Sequence, residues 1–175
     1  MNNLVGFSGR QGSGKTTLSE LLVREYGFSA VSVASPIKEM LLSLGLSRDE
    51  VFGSSKEDAC ELLCGKTPRH AMRTLGTEWG RKLIGPSLWT NVWRNRVGTA
   101  LVNGKVIVDD IRFDDEADVI KKFGGTVIEI VREQADTVEH ISESGISSVY
   151  IDHRHNNTVQ LSDSIRQLQR HLGLS

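Results

Sequence analysis

One stretch near the start of the chain, Gly9-Arg10-Gln11-Gly12-Ser13-Gly14-Lys15-Thr16, joins a glycine-rich turn to a lysine and a hydroxyl. The spacing is G-x-x-x-x-G-K-[ST], the P-loop or Walker A pattern. Its glycines let backbone N–H groups converge on phosphate oxygens. A helix that follows such a turn aims the positive end of its dipole at them. Lys15 can then reach the terminal phosphates of a nucleotide, and the Thr16 hydroxyl can hold Mg²⁺. Arg10, Gly12, Ser13, Gly14, Lys15, Thr16 and Thr17 are the candidate ATP-binding residues.

A second candidate lies at Val106-Ile107-Val108-Asp109-Asp110-Ile111-Arg112-Phe113. An apolar strand that ends in aspartate puts a carboxylate at the carboxyl edge of a sheet. Ligands bind at that edge, and in P-loop proteins the second Mg²⁺ contact sits there. Neighbours on a strand point to opposite sides, so spacing alone leaves Asp109 and Asp110 open as alternatives. Arginines form a third signal, because phosphoryl transfer needs several cations around the moving group. Arg112 follows the aspartate pair, Arg132 follows the run Thr126 to Val131, and Arg69 stands in the first turn of an expected helix. Trp89 and Trp93 have helical spacing and read as core, whereas Trp79, beside Gly80-Arg81, is open to a ligand. His153 and His155, with Arg154 between them, read as a surface turn. Cys60 and Cys64 have no second pair to complete a zinc site and read as reduced, buried thiols.

These groups need a scaffold, and the hydrophobic pattern supplies one. Leu4 to Phe7 reads as a buried strand, and Lys15 to Tyr26 as a helix stopped by Gly27. Phe28 to Val33 reads as a strand. Ser35-Pro36 and Thr67-Pro68 are cap-plus-proline helix starts, the second helix running to Leu75 and ending at Gly76. Residues 45–66 are weakly patterned. Ser87 caps a helix through Leu101, Val106 to Val108 is a β-branched strand, Asp114 to Phe123 a helix and Thr126 to Val131 a strand. Val149-Tyr150-Ile151 is the expected last strand, and Leu161 to Leu172 a closing helix ended by Gly173. Strands alternate with helices, the pattern of a parallel sheet covered on both faces. The expected fold is a three-layer α/β/α domain of about five strands.

Composition bounds the alternatives. With 175 residues, 38% hydrophobic and 25% charged, the chain has the make-up of one soluble domain and not of a disordered or fibrous one. No run reaches the ~18 apolar residues of a membrane helix, and no secretory signal is visible at the start. The formal net charge of −1 argues against a generic nucleic-acid coat. Charge is unevenly spread: Lys66 to Arg96 holds seven Lys or Arg and one acid, whereas Glu133 to Asp152 holds five acids and no Lys or Arg. The first block suits a wall for an anionic ligand, the second a polar, mobile segment.

Taken together, Gly9 to Thr17, Thr67-Pro68-Arg69 with Leu75-Gly76-Thr77-Glu78 and Arg81, Asp110-Ile111-Arg112-Phe113 with Glu116, Gly124-Gly125, Arg132 and His140-Ile141-Ser142-Glu143 resemble the phage deoxynucleoside monophosphate kinase family. The resemblance runs over nearly the whole chain, from about residue 4 to about residue 160. It implies a P-loop kinase core (1–44, 104–131 and 149–175), a substrate-binding insertion at about 45–103 and a lid at about 132–148. It implies ATP and Mg²⁺, and transfer of the γ-phosphoryl group to a dNMP. Lys15, Asp110, Arg112 and Arg132 are then the catalytic residues. Thr16 and Asp110 hold Mg²⁺, Asp110 through water. Arg69 and Arg112 grip the dNMP phosphate, with Arg73, Arg81 and Trp79 also at the substrate. Met72-Arg73 departs from the leucine and glutamine usual after T-P-R, so Arg73 adds a charge beside the substrate. Expected partners are small nucleotides, with no nucleic acid and no membrane. The chain is read as cytoplasmic, in the host if phage-encoded, with a homodimer left open. Another small-molecule P-loop kinase, a nucleotide-driven switch or motor, and a non-catalytic nucleotide-binding module are the competing readings.

Overall fold

Three short apolar runs, each buried along nearly its whole length, build the middle of a parallel sheet in the computed structural model, which describes residues 3–132, 145–157 and 161–174. They are β1 (Leu4–Ser8), β3 (Lys105–Val108) and β4 (Thr126–Val131), joined by β2 (Phe28–Ala30) and β5 (His153–Asn156). Strands buried on both faces read as continuous Val/Ile/Leu runs and not as alternations, which is why these segments were legible. The order is β2-β3-β1-β4-β5, and every pairing is parallel. Val5 lies beside Ile107 on one side and Thr126 on the other, so β1 is the central strand.

Helices cover both faces. Val5, Phe7, Ile107, Ile128 and Ile130 pack with Leu18 and Leu22 of α1 (Lys15–Tyr26) and Leu168 and Leu172 of α7 (Leu161–Leu172). On the opposite face, α6 (Asp114–Lys122) brings Ile120 so close to β1 that a Cβ at Gly6 would stand 3.2 Å from it. The expected three-layer, five-stranded α/β/α fold is the one observed. No helix among the described residues is long and apolar enough to cross a membrane.

The chain divides into two compact units, residues 1–32 with 94–175, and residues 33–93. The sheet belongs to the first. The second contains α2 (Ser35–Ser43), α3 (Arg48–Phe52), α4 (Pro68–Arg73) and the start of α5 (Leu88–Asn103). Its core is Leu41, Leu46, Val51 and Cys60. The weak pattern of residues 45–66 has a local reason, since they form short capped pieces. Ser47 Oγ accepts from Glu50 N, and the Glu50 carboxylate takes Ser47 N at 2.7 Å, a reciprocal cap for α3. Thr67 Oγ1 caps α4 through His70 N, as its type and the following proline predicted.

Four local expectations are corrected. Val149-Tyr150-Ile151 is not a strand: Ser148–Tyr150 is a 3₁₀ turn with Val149 exposed, and the last strand is the polar His153–Asn156. An edge strand needs one row of ladder bonds and no apolar run, and Ile128 and Ile130 pair with His153 and His155. His153 and His155 therefore lie on a strand and not in a surface turn, and His155 is fully buried. Gly76 does not end the 67–75 helix, which continues as a π-helix over Thr74–Ile84. The Gly76 carbonyl accepts from Trp89 Nε1 at 2.8 Å, so an indole is fastened to this wider helix at the position expected to end it. Of the two thiols, only Cys60 is buried; Cys64 is exposed, at φ 54°.

The core around β1 sets the stability of the sheet unit. Phe7→Ala should cost about 3–5 kcal/mol, because its side chain is fully enclosed between β1, α1 and α7. Urea unfolding of the two proteins measures the loss, and a change under 1 kcal/mol would contradict this packing.

Candidate active site

The loop between β1 and α1 forms because glycine stands where the backbone must turn through left-handed or crowded conformations. Gly9 has φ 131°, and a Cβ there would fall 2.2 Å from the Ile130 carbonyl oxygen. Gly14 has φ 94° and is the N-cap of α1. A glycine cap supplies no side-chain acceptor, so the first N–H groups of α1 have no side-chain cap, and the first turn holds no acid. Uncapped N–H groups at the positive end of a 12-residue helix form an anion site. Lys15 Nζ donates to the carbonyls of Gly9 at 2.6 Å and Arg10 at 2.7 Å, which ties the ammonium across the mouth of its own loop. Ser13 is buried, whereas Arg10, Gly12, Thr16 and Thr17 are exposed.

The strand order places the other candidates of this unit around that loop. All five strands run parallel, so their carboxyl ends share one edge. The chain leaves β1 toward β2 on one side and leaves its neighbour β3 toward β4 on the other, so the winding reverses at this pair, the position where open α/β sheets bind ligands. Asp109, Asp110 and Arg112 follow β3 on one flank of β1, and Arg132 follows β4 on the other. Asp110 Oδ2 accepts from Ser32 Oγ at 2.6 Å, so a hydroxyl just beyond β2 orients this carboxylate. Thr16 and Asp110 are hard oxygen donors of the kind Mg²⁺ takes, one hydroxyl and one carboxylate. Among the described residues no group of three or more His, Cys, Asp or Glu could hold a metal ion, so such an ion would complete its shell from phosphate and water.

The backbone at Arg112 is held by Glu116, a residue quoted with the Asp110 to Phe113 segment in the sequence but given no role there. The Glu116 carboxylate reaches back from α6 and accepts from Arg112 N at 2.8 Å and Phe113 N at 3.2 Å. It is 2% exposed. Burial pushes its carboxyl up to about 7, and the Asp110 and Asp115 carboxylates add to the rise against the two backbone donors. Ser32 belongs to no motif and acts through a partner 78 positions away.

The remaining candidates belong to the other unit. Arg69 is exposed at the start of α4, with its Nε on the Glu57 carboxylate. Arg73 is exposed on the last turn of α4. Arg81 NH1 donates to the Pro86 carbonyl at 3.5 Å. Trp79 is half-exposed, with its ring 5.9 Å from that of Trp89, while Trp89 and Trp93 are core as expected. The expected lid at 132–148, with His140 and Glu143, lies for the most part outside the described residues.

Glu116 has a measurable signature. Its folded pKa lies above the ordinary 4.5, so between about 4.5 and 7 the folded chain binds a proton that the unfolded chain releases. Its contribution to stability is therefore complete below about pH 4.5 and falls as pH rises through about 7. Compared with Glu116→Gln, which does not titrate, the wild type should lose stability across this window by up to about 1.4 kcal/mol per pH unit. Urea unfolding of both proteins in EDTA at several pH values measures the difference, and a difference independent of pH would exclude a titrating Glu116.

Comparison with known proteins agrees with this geometry. A protein of Acanthamoeba polyphaga mimivirus, which carries the provisional name deoxynucleotide monophosphate kinase, is 33% identical over 160 residues, covering 83% of each chain. The deoxynucleoside-5'-monophosphate kinase of Escherichia phage T5 is 28% identical over 116 residues, covering 62% of this chain and 46% of that one. Among solved structures, a shikimate kinase from Aquifex aeolicus superposes with a TM-score of 0.56 at 16% identity, covering 97% of this chain and 96% of that one, a likeness of fold. The family model described as deoxynucleotide monophosphate kinase matches residues 65–170, more than half of the sequence, and with the mimivirus relative it establishes that the chain belongs to the deoxynucleotide monophosphate kinase family.

Proposed function

We propose that this protein transfers the γ-phosphoryl group of ATP to the phosphate of a deoxynucleoside monophosphate, giving ADP and a dNDP. The observation that carries the reading is the glycine loop at the central strand of the sheet, in a chain whose family and viral relatives are named for this activity. In this reading the backbone N–H groups of Gly12 to Thr16 hold the ATP phosphates, with Arg10 and Thr17 beside them. Lys15 exchanges the carbonyls of its own loop for β- and γ-phosphate oxygens. Thr16 and Asp110 hold Mg²⁺, Asp110 through water; the ion, when bound, offsets charge on the phosphates.

Arg112 and Arg132 bring cations to the edge where the phosphoryl group moves. Arg69 and Arg112 take the acceptor phosphate, and the basic segment with Arg73, Arg81 and Trp79 receives the rest of the dNMP, within a substrate-binding insertion of about residues 45–103. No general base is required, because the acceptor is already an anionic oxygen. Positioning and charge neutralisation supply the rate. Both substrates are small nucleotides of the cytoplasm, where the reading places the enzyme. A coupled ADP-release assay over the four dNMPs and their ribose counterparts tests it. ADP release that depends on a dNMP is expected, and release indifferent to every nucleoside monophosphate would overturn the reading.

Two substitutions separate the donor and acceptor halves. Lys15→Ala should keep the fold and lose turnover by more than a hundredfold, a transition-state loss on the order of 3 kcal/mol. A folded variant that keeps a tenth of wild-type turnover would remove Lys15 from the chemistry. Arg69→Lys retains the charge but not the planar fork that grips a phosphate bidentately. It should raise the dNMP KM, or lower kcat if the contact tightens only in the transition state, with little effect on the ATP KM. Unchanged dNMP kinetics would move the acceptor-phosphate role to Arg73 or Arg81.

A further inference from the structure

The polar end of the sheet that the sequence reading passed over is wired to the phosphate loop. Asn157 follows β5, and its backbone N–H donates to the Val131 carbonyl at 2.7 Å, which fixes it beside the end of β4. Its side-chain Nδ2 donates to the Ser13 carbonyl at 2.8 Å, across 144 positions of sequence. The carboxamide lies so close to Gly14 that a Cβ there would fall 2.2 Å from Nδ2. From behind, Ser164 Oγ of α7 donates to Asn157 Oδ1 at 2.8 Å. With its proton committed to Asn157, the Ser164 oxygen can only accept from His155 Nε2, 2.6 Å away. This assigns the neutral Nε2–H tautomer to His155, leaving Nδ1 as a bare acceptor that is buried without a partner among the described residues. Burial and the neighbouring His171 push the His155 pKa down to about 4, so the ring stays neutral at physiological pH.

The direction of this chain matters for the loop. A trans peptide holds its C=O and the next N–H in one plane, pointing in opposite directions. Whatever holds the Ser13 carbonyl therefore also sets the aim of the Gly14 N–H. Gly14, with positive φ and no Cβ, offers little steric resistance to rotation of that peptide. A rotated peptide would present a carbonyl, not an N–H, to an anion.

We propose that Asn157 is a positioning residue of the phosphate site: by holding the Ser13 carbonyl it orients the Ser13–Gly14 peptide so that its N–H faces the nucleotide phosphates, and Ser164 and His155 hold Asn157 in that orientation. The proposal rests on the reading of this loop as the ATP-phosphate site. Asn157→Asp keeps the shape and removes the Nδ2 donor, setting an anionic oxygen against the Ser13 carbonyl. Ser164→Ala removes the donor behind it.

Equilibrium binding of ADP, by calorimetry, is the direct readout, with steady-state ATP and dNMP KM beside it and melting temperature as the check on folding. Asn157→Asp should weaken ADP and raise the ATP KM tenfold or more, leaving the dNMP KM within twofold, and Ser164→Ala should produce a smaller change of the same kind. If Asn157→Asp does not fold, Asn157→Ser carries the same expectation. Lys15→Ala distinguishes the two levels of the argument. If it weakens ADP while the Asn157 and Ser164 variants bind within twofold of wild type, the positioning role is overturned and the loop reading stands. If wild-type protein binds no ADP, both fall. A parallel rise in the ATP and dNMP KM that tracks the fall in melting temperature would assign Asn157 to stability alone and overturn the proposal.

Discussion

The sheet unit is organised by one requirement: the turn between β1 and α1 must pass through left-handed and crowded backbone conformations. Ordinary residues cannot meet it, because the turn passes through left-handed conformations and one of its peptides lies against a neighbouring strand. Gly9 pressed on the Ile130 carbonyl, and Gly14 at φ 94° with the Asn157 carboxamide against it, are two places with no room for a side chain. The rest of the unit supports that turn. β1 must be central and buried on both faces, so that the loop leaves a rigid edge. The helix that follows must start without a side-chain cap or an acid, so that its first N–H groups serve a ligand.

Charge is arranged around that turn by topology and not by nearness in sequence. With order β2-β3-β1-β4-β5 and every strand parallel, residues just beyond β3 and β4 flank the loop although they are about 100 or more positions away in sequence. Two of these positions are held by a second residue. Ser32 orients Asp110, and Glu116 holds the backbone at Arg112. The cost is a buried carboxyl beside two others, which raises its pKa towards neutrality. The same design recurs at the loop itself, where a neutral histidine, a serine and an asparagine form a one-way hydrogen-bond chain ending on a loop carbonyl.

The helical unit shows a different economy. It has its own small core of Leu41, Leu46, Val51 and Cys60, and its helices are short; Ser47 and Thr67 cap α3 and α4, whereas α2 starts after Ala34 without a side-chain cap, so the expected Ser35 cap does not form. Along the π-helix over Thr74–Ile84 an indole N–H donates to the Gly76 carbonyl, and Gly80, with no side chain, lets the Trp89 ring lie against the helix. Arg81 and Trp79, both expected at the substrate, lie on this widened segment, and Arg69 lies upstream on α4.

Local physics alone determined much of this protein. A run such as Val106-Ile107-Val108 is buried on both faces wherever it is placed. Glycines at the P-loop spacing allow the left-handed turn seen here, and Thr67 before Pro68 caps its own helix through a residue three positions on. The strands β1, β3 and β4, the helices α1, α6 and α7 and the glycine loop were therefore legible from residue types and spacing, and the kinase family from the resemblance of the combined motifs. The tertiary structure decided what depends on partners far apart in sequence. His153 to Asn156 is a strand only because β4 offers it an edge and Ser164 satisfies the buried ring. Gly76 lies inside a helix and not at its end, with its carbonyl bonded to Trp89, 13 positions on. Asp110, left open against Asp109 by strand alternation, has its carboxylate oriented by Ser32, and Asn157 touches the loop across most of the chain. A polar side chain carries no period and no propensity that names its partner, so its role is set only when the fold brings a donor and an acceptor within 3 Å of each other.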